Sequence, residues 1–384
     1  MSQRSYGLDK IQAISLSAVM CMGIFVSFSF NGHLIGHNLW IPFAISGGCG
    51  FLFFLLLRAV LKLYPGQSLP QIYQTAFGKS GRIGTVIFLG QFIFSFCYTL
   101  LAVFFFWRYS ALPNTPLIVY AILIPVMSGI VVRMGLKAIA KICFMTVAVV
   151  MAILIFNTIS VLPYGTFTNF LPLATGMDPQ ILAKSTLQFF VLHLGSMSLV
   201  LTFMFKAKEQ KKASSFLWKG FVINIIFFSI VVARSVFVLG ESLIVEFYHN
   251  NQVLRLMNLN NSASHTEILG LMAVAITVLM FLLILQYAVN SLAGSLYVWK
   301  KNPNNSQLTA AQVKEFQSGK AWRTVIPIVI IEIVLVMLMY KFNNMPNSLK
   351  LFSTLTFFVM INMISLIIVV CRGNFIKKTK KKED

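Results

Sequence analysis

The sequence predicts an all-α polytopic membrane protein of ten spans, on three observations. Of its 384 residues, 58% are hydrophobic and 11% charged, with a mean hydropathy of +0.81. A water-soluble domain carries about a quarter charged residues. The few charges gather between apolar runs of about 20 residues, the length that crosses roughly 30 Å of hydrocarbon at about 1.5 Å per residue. Those charges also fall mainly on alternate connections.

The expected spans are 11–31, 38–58, 83–107, 117–132, 138–161, 181–205, 220–239, 268–297, 324–340 and 351–371. They form a single transmembrane domain over 1–372, followed by a basic cytoplasmic tail at 373–384. The first run lies where a signal peptide would, but it lacks a small-residue cleavage site. Nine more spans follow it, so it reads as a retained helix. After the second span Pro65-Gly66 forces a turn, and "SLPQIYQTAFG" makes a short interfacial helix ended by Gly78. The proline of "NTP" opens the fourth helix, with Asn114 or Thr115 as its cap. The fourth and ninth spans are short, and the eighth is long enough to tilt or to leave the membrane. The longest connections are about 26–28 residues, which leaves no room for a soluble domain. All five cysteines (Cys21, Cys49, Cys97, Cys143 and Cys371) lie in or at the end of a span. Cysteine there is a small apolar residue, so no disulfide or zinc framework is implied.

With the N-terminus inside, the cytoplasmic connections and the two termini hold 25 of the 31 basic residues. Basic loops resist translocation, so this asymmetry sets the topology, with both termini cytoplasmic. The net charge of +21 is therefore a membrane-orientation signature and not a nucleic-acid footprint. The "KKTKKK" tail, Lys377 to Lys382, is a solvated charge run that can also meet anionic lipid headgroups.

Two spans carry a glycine at matching places. Gly23 stands in "MCMGIFVSFSF" of the first and Gly195 in "VLHLGSMSL" of the sixth. Roughly 18–21 Å of helix precedes each, which puts both in the middle third of the bilayer. A membrane helix tolerates interruption only against protein or a watery cavity. Paired interruptions in two five-helix halves point to an inverted-repeat transporter architecture with a midplane ligand site. Glycine as a helix-packing residue is the plainer alternative.

Connections between the spans carry a resemblance. The chain reads "LYPGQSLPQIYQTAFGKSGR" at Leu63–Arg82, "LPNTPLIVYAILIP" at Leu112–Pro125, and "RMGLKAIAK" at Arg133–Lys141. Further on stand "NFLPLATGMDPQIL" at Asn169–Leu182 and "VLRLMNLNN" at Val253–Asn261. Together these resemble the B subunits of bacterial spore germinant receptors, the GerAB-like family of the amino acid–polyamine–organocation superfamily. The resemblance implies a LeuT-like fold, an inverted 5+5 repeat with spans 1 and 6 interrupted, in the spore inner membrane. It implies a sensor of a small germinant, often an amino acid, working with a membrane A subunit and a lipoprotein C subunit and without a cofactor. The chain departs from the family pattern at three places. Phe25 stands where a second glycine is usual, Met197 where an acid is usual, and His265 where an arginine is usual two residues ahead of Glu267.

The ligand-binding candidates are Gly23, Ile24, Tyr98, His193, Gly195, Ser196, Met197 and Tyr287. Gly195 and Ser196 supply unwound backbone and a polar contact. His193 suits either a ligand or an interhelical hydrogen bond. Tyr98 and Tyr287 lie at depths suited to a pocket wall. Arg234, Glu267 and Glu332 are candidates for structural or partner contacts, because ionisable groups inside a membrane are rarely idle. His33 and His37 have a metal-like i, i+4 spacing, but Gly32 and Gly36 and the loop position argue against a site, so no metal is expected. No nucleophile–base set or phosphate loop stands out, and ten acidic residues give paired-carboxylate chemistry little material, so an enzyme is not expected. Two other readings stay open: a secondary amino acid transporter on the same fold, and a non-liganded structural subunit of the receptor.

Overall fold

The structure, a computed structural model, describes residues 7–22, 35–171, 178–244, 252–253, 255, 266–301, 322–342 and 349–383. Side chains at 21, 192–194, 266, 298–301, 322–323, 342, 349–353 and 376–383 are outside that description. Among the described residues the chain forms eleven α-helices. They are α1 (Lys10–Met22), α2 (Trp40–Leu63), α3 (Leu69–Phe77), α4 (Gly81–Ser110), α5 (Leu117–Val132) and α6 (Leu136–Val161). After these come α7 (Pro179–Met197), α8 (Ala213–Leu239), α9 (Thr266–Lys301), α10 (Trp322–Phe342) and α11 (Leu349–Glu383).

Among the described residues, eight helical stretches are long and apolar enough to cross a membrane, from Gly36–Leu63 to Thr354–Phe375. Two shorter apolar helices accompany them, Lys10–Met20 and Leu117–Val132. At about 1.5 Å per residue these two reach roughly 17–24 Å, short of a full bilayer crossing. The last helix continues through the basic segment to Glu383.

Local chemistry explains the connections. Ser68 and Gln71 close a capping box at the start of α3, and the Ser68 N–H donates to Gln71 Oε1 at 2.8 Å. Gly78 ends α3 with φ +60°, a conformation that costs side-chain-bearing residues and not glycine. The start of α5 differs from the sequence expectation. Pro116 itself is the cap, extended at ψ 149°, and no side chain of Asn114 or Thr115 caps the helix. Because Pro116 takes the extended conformation, the helix begins one residue later, at Leu117.

α1 lies at the centre, against α6, α7, α8 and α9. Its approach to α8 is backbone-close: a Cβ on Gly220 would sit 2.4 Å from Ser17 Cβ and 3.0 Å from Ile14 O. Small residues at such crossings let membrane helices gain packing contacts that lipid cannot supply. α4 packs against α9, α10 and α11, while α2 packs against α7, α8 and α11. α10 closes the outside of α4, α5 and α9.

Candidate functional site

The sixth span changes character at its middle. α7 runs to Met197, then tightens to a 3-10 helix over Ser198–Thr202 and, after Phe203, to another over Met204–Lys206. The change starts three residues after Gly195, where the sequence had placed the interruption. Ser198 is the reason: its Oγ donates to the Gly195 carbonyl at 2.7 Å, which draws the chain into an i, i+3 turn.

A second helix reaches this carbonyl, and a third is joined to it through the second. Gln91 of α4 extends its Nε2 to Gly195 O and to Ser198 Oγ, each at 3.4 Å. Asn362 of α11 donates from Nδ2 to Gln91 Oε1. Gln91, Ser198 and Asn362 are all buried, so the network ties α4, α7 and α11 together inside the bundle. A Cβ on Gly195 would meet Val359 Cγ2 at 3.5 Å and Gln91 Nε2 at 3.7 Å, ordinary contact distances. A methyl fits; a large side chain does not.

The other sequence candidates separate into distinct places. Gly23 and Ile24 lie outside the described residues, as does the His193 side chain, although its backbone belongs to α7. Ser196 and Met197 are buried beside the transition. Tyr98 is buried on α4, seven residues beyond Gln91, so about two turns and ~10 Å along the same helix face. Tyr287 has a different surrounding: Lys206 Nζ donates to its hydroxyl at 2.7 Å and stands 5.4 Å from its ring centroid.

Lys206 also joins a clamp at the end of the bundle where α1 starts. The Leu8 N–H donates to Lys206 O at 2.8 Å, the Lys208 N–H returns to Leu8 O at 3.0 Å, and Lys208 Nζ bonds Asp9 Oδ1. The Lys208 hydrogen bond holds the Asp9 carboxyl below its ordinary range. The start of α1, the 3-10 turn over Met204–Lys206 with the residues that follow it, and the middle of α9 are therefore pinned to one another.

At the other end Glu267 pairs with Arg255 Nε at 2.7 Å, and Arg255 Nη2 donates to Ser110 O at 3.0 Å, where α4 ends. A guanidinium there also favours the negative end of the helix dipole. His37 pairs with Glu241, and Asn169 Nδ2 donates to Phe237 O at 2.8 Å. Arg234 is buried and lines a cavity of about 30 Å³ with Asn157 and Thr277, between α6, α8 and α9. That is room for about two waters. Glu332 is wholly buried on α10, facing α4 and α9, and its main-chain carbonyl accepts from the Cys97 thiol at 3.8 Å.

Sequence reasoning missed Gln91, Asn362, Lys206 and Arg255. For the first two a signal existed: each is the lone amide in an apolar window, "FLGQFIF" and "FFVMINMIS". Chemically, the α7 transition offers hydroxyl, amide and carbonyl groups suited to hydrogen-bonding a small polar molecule. Among the described residues no three His, Cys, Asp or Glu side chains group to hold a metal.

Comparisons with known proteins agree with this architecture. A family model described as "Spore germination protein" matches residues 7–313. No curated protein matches the chain. Among solved structures, the chain is similar to Mhp1, a nucleobase-cation-symport-1 family transporter, in a closed conformation with bromovinylhydantoin bound. That match has 14% identity and a TM-score of 0.60, covering 92% of this chain and 75% of that one. It is also similar to a substrate-bound, outward-open Na+-coupled sialic acid symporter, at 13% identity and TM-score 0.59, over 92% and 78% of the two chains. At these identities the likeness concerns the fold, which is that of LeuT-like transporters.

Proposed function

We propose that this chain, which belongs to the spore germination protein family, is the germinant-sensing membrane subunit of a spore germination receptor. In this reading it is no enzyme; it binds a small molecule, an amino acid being the leading class, at the α7 transition. The observation that carries the proposal is the Gly195 carbonyl, held by Ser198 and Gln91 inside the bundle and linked through Gln91 to Asn362. A ligand that competes for those hydrogen bonds binds one relative placement of α4, α7 and α11 better than another. Binding then shifts the population of bundle conformations, and partner subunits read the shift. The partners are the receptor's membrane A subunit and lipoprotein C subunit. The topology is ten spans in an inverted 5+5 repeat, with the first and sixth interrupted and both termini cytoplasmic.

The experiment is Gly195→Trp in spores, with protein levels checked by immunoblot. The indole cannot fit between Val359 and Gln91, so germinant sensitivity should fall at least tenfold. Unchanged sensitivity at normal protein level would remove the pocket from this place. A second reading, a secondary amino acid transporter, draws support from the shared fold with cation-coupled symporters. Vesicles holding this chain alone, given labelled amino acids, separate the two: concentrative uptake favours the transporter.

A further inference from the structure

Glu332 presents a problem that the germinant site does not use. Its side chain is fully buried near the middle of α10, and neither carboxylate oxygen has a hydrogen-bond partner of normal geometry. The Gln286 amide of α9 is turned toward it, equally buried, with neither amide atom completing a hydrogen bond. One turn along, Asn290 donates from Nδ2 to the Gln286 main-chain carbonyl at 2.8 Å, which leaves its Oδ1 open toward the interior. From α4 comes the Cys97 thiol, bonded to the Glu332 main chain. The third neighbour, α5, has no acid or base in Leu117–Val132, and its phenol, Tyr120, packs on Phe104. Among the described residues no Lys, Arg or His forms an ion pair with Glu332. On α10 itself the nearest titratable group, Tyr340, stands eight residues on, against Phe104 and Phe105.

A carboxylate without a cation in such a place is strongly disfavoured, since desolvation is offset by neither charge nor hydrogen bonds. Neutral –COOH is compatible with it, and it adds one O–H donor that the carbonyl of Gln286 can accept. Its remaining oxygen can accept from the Gln286 amide N–H. One proton thus supplies the pair with the donor it lacks.

We propose that Glu332, with Gln286 and Asn290, is a membrane-embedded proton-binding site at the contact of α9 and α10. With the proton bound, α10 seats against α4 and α9. Loss of the proton leaves a charge that must reach water or a counter-ion, so α10 must move off α9. The seated form holds one proton more than the displaced form. Raising the pH therefore weakens the seated form and lowering it strengthens that form. The site is separate from the α7 transition, so it stands whether or not germinant binds at Gly195.

The test uses full-length protein in lipid nanodiscs, with Glu332→Gln as the mimic of the neutral acid and Glu332→Asp as a shorter acid. Infrared difference spectra on raising the pH should show loss of a carboxylic-acid C=O stretch in the wild type, absent from Glu332→Gln. Thermal stability of the wild type should decline with pH across the same interval, while the Glu332→Gln profile stays flat through it. Should Glu332→Gln fail to yield folded protein, the wild-type spectrum and a shifted interval in Glu332→Asp decide the matter alone. An identical pH profile in wild type and Glu332→Gln overturns the proposal. So does stability that follows Na+ or K+ at fixed pH with no carboxylic-acid band, because the occupant is then a metal cation.

Discussion

Two buried amide side chains, Gln91 and Asn362, connect the bundle at the scale of single residues. Gln91 matters most, because it donates to Gly195 O and to Ser198 Oγ and accepts from Asn362. Gln91→Leu would leave the Asn362 amide without that acceptor and the Gly195 carbonyl with one donor fewer. A buried polar group left unpaired costs about 1–3 kcal/mol, so the thermal midpoint of the purified protein should fall measurably. Adding Asn362→Leu should cost much less than it does alone, since the orphaned partner is removed, and a double-mutant cycle on the two positions checks this. Both amides were visible in the sequence as interruptions of apolar windows. Their pairing was not, because 271 residues separate them and nothing local in either window names a partner.

The helices show a similar division. α3 and its ending at Gly78 were legible because a capping box and a positive-φ glycine act within a few residues. The place of the α7 transition was not, because glycine only permits a break; Ser198 and the tertiary donor Gln91 decide where the backbone tightens. Close helix crossings were equally hidden, since a packing glycine looks like any other. Gly220 shows the difference in strength. Gly220→Val drives methyl groups into the α1 backbone and should abolish monodisperse folded protein in size-exclusion chromatography. Gly48→Ala, where among the described residues nothing beyond the local helix backbone lies within 4 Å of the new methyl, should leave the elution profile unchanged.

For the whole molecule, composition and the run lengths made the helical membrane class plain, and the fold of LeuT-like transporters follows in the structural comparisons. Orientation is testable directly. In a cysteine-free background, Lys79→Cys should react with an impermeant maleimide only after the cell is opened, and Asn169→Cys in intact cells. The opposite pattern would reverse the proposed topology. The end that carries Lys79 also holds the clamp of Leu8 and Asp9 on Lys206 and Lys208. Because the Lys208 hydrogen bond holds Asp9 below the ordinary carboxylate range, that ion pair persists through this range and is lost only as the pH falls below it. One further consequence comes from the length of α11. The helix that places Asn362 beside Gln91 continues without a break to Glu383, some 21 residues or about 32 Å away. It works as a rigid pointer pivoting at Asn362: a swing of roughly 5° there moves its far tip by about 3 Å. A change too small to open a passage through the membrane is thereby large enough to make or break a contact in the water beyond it.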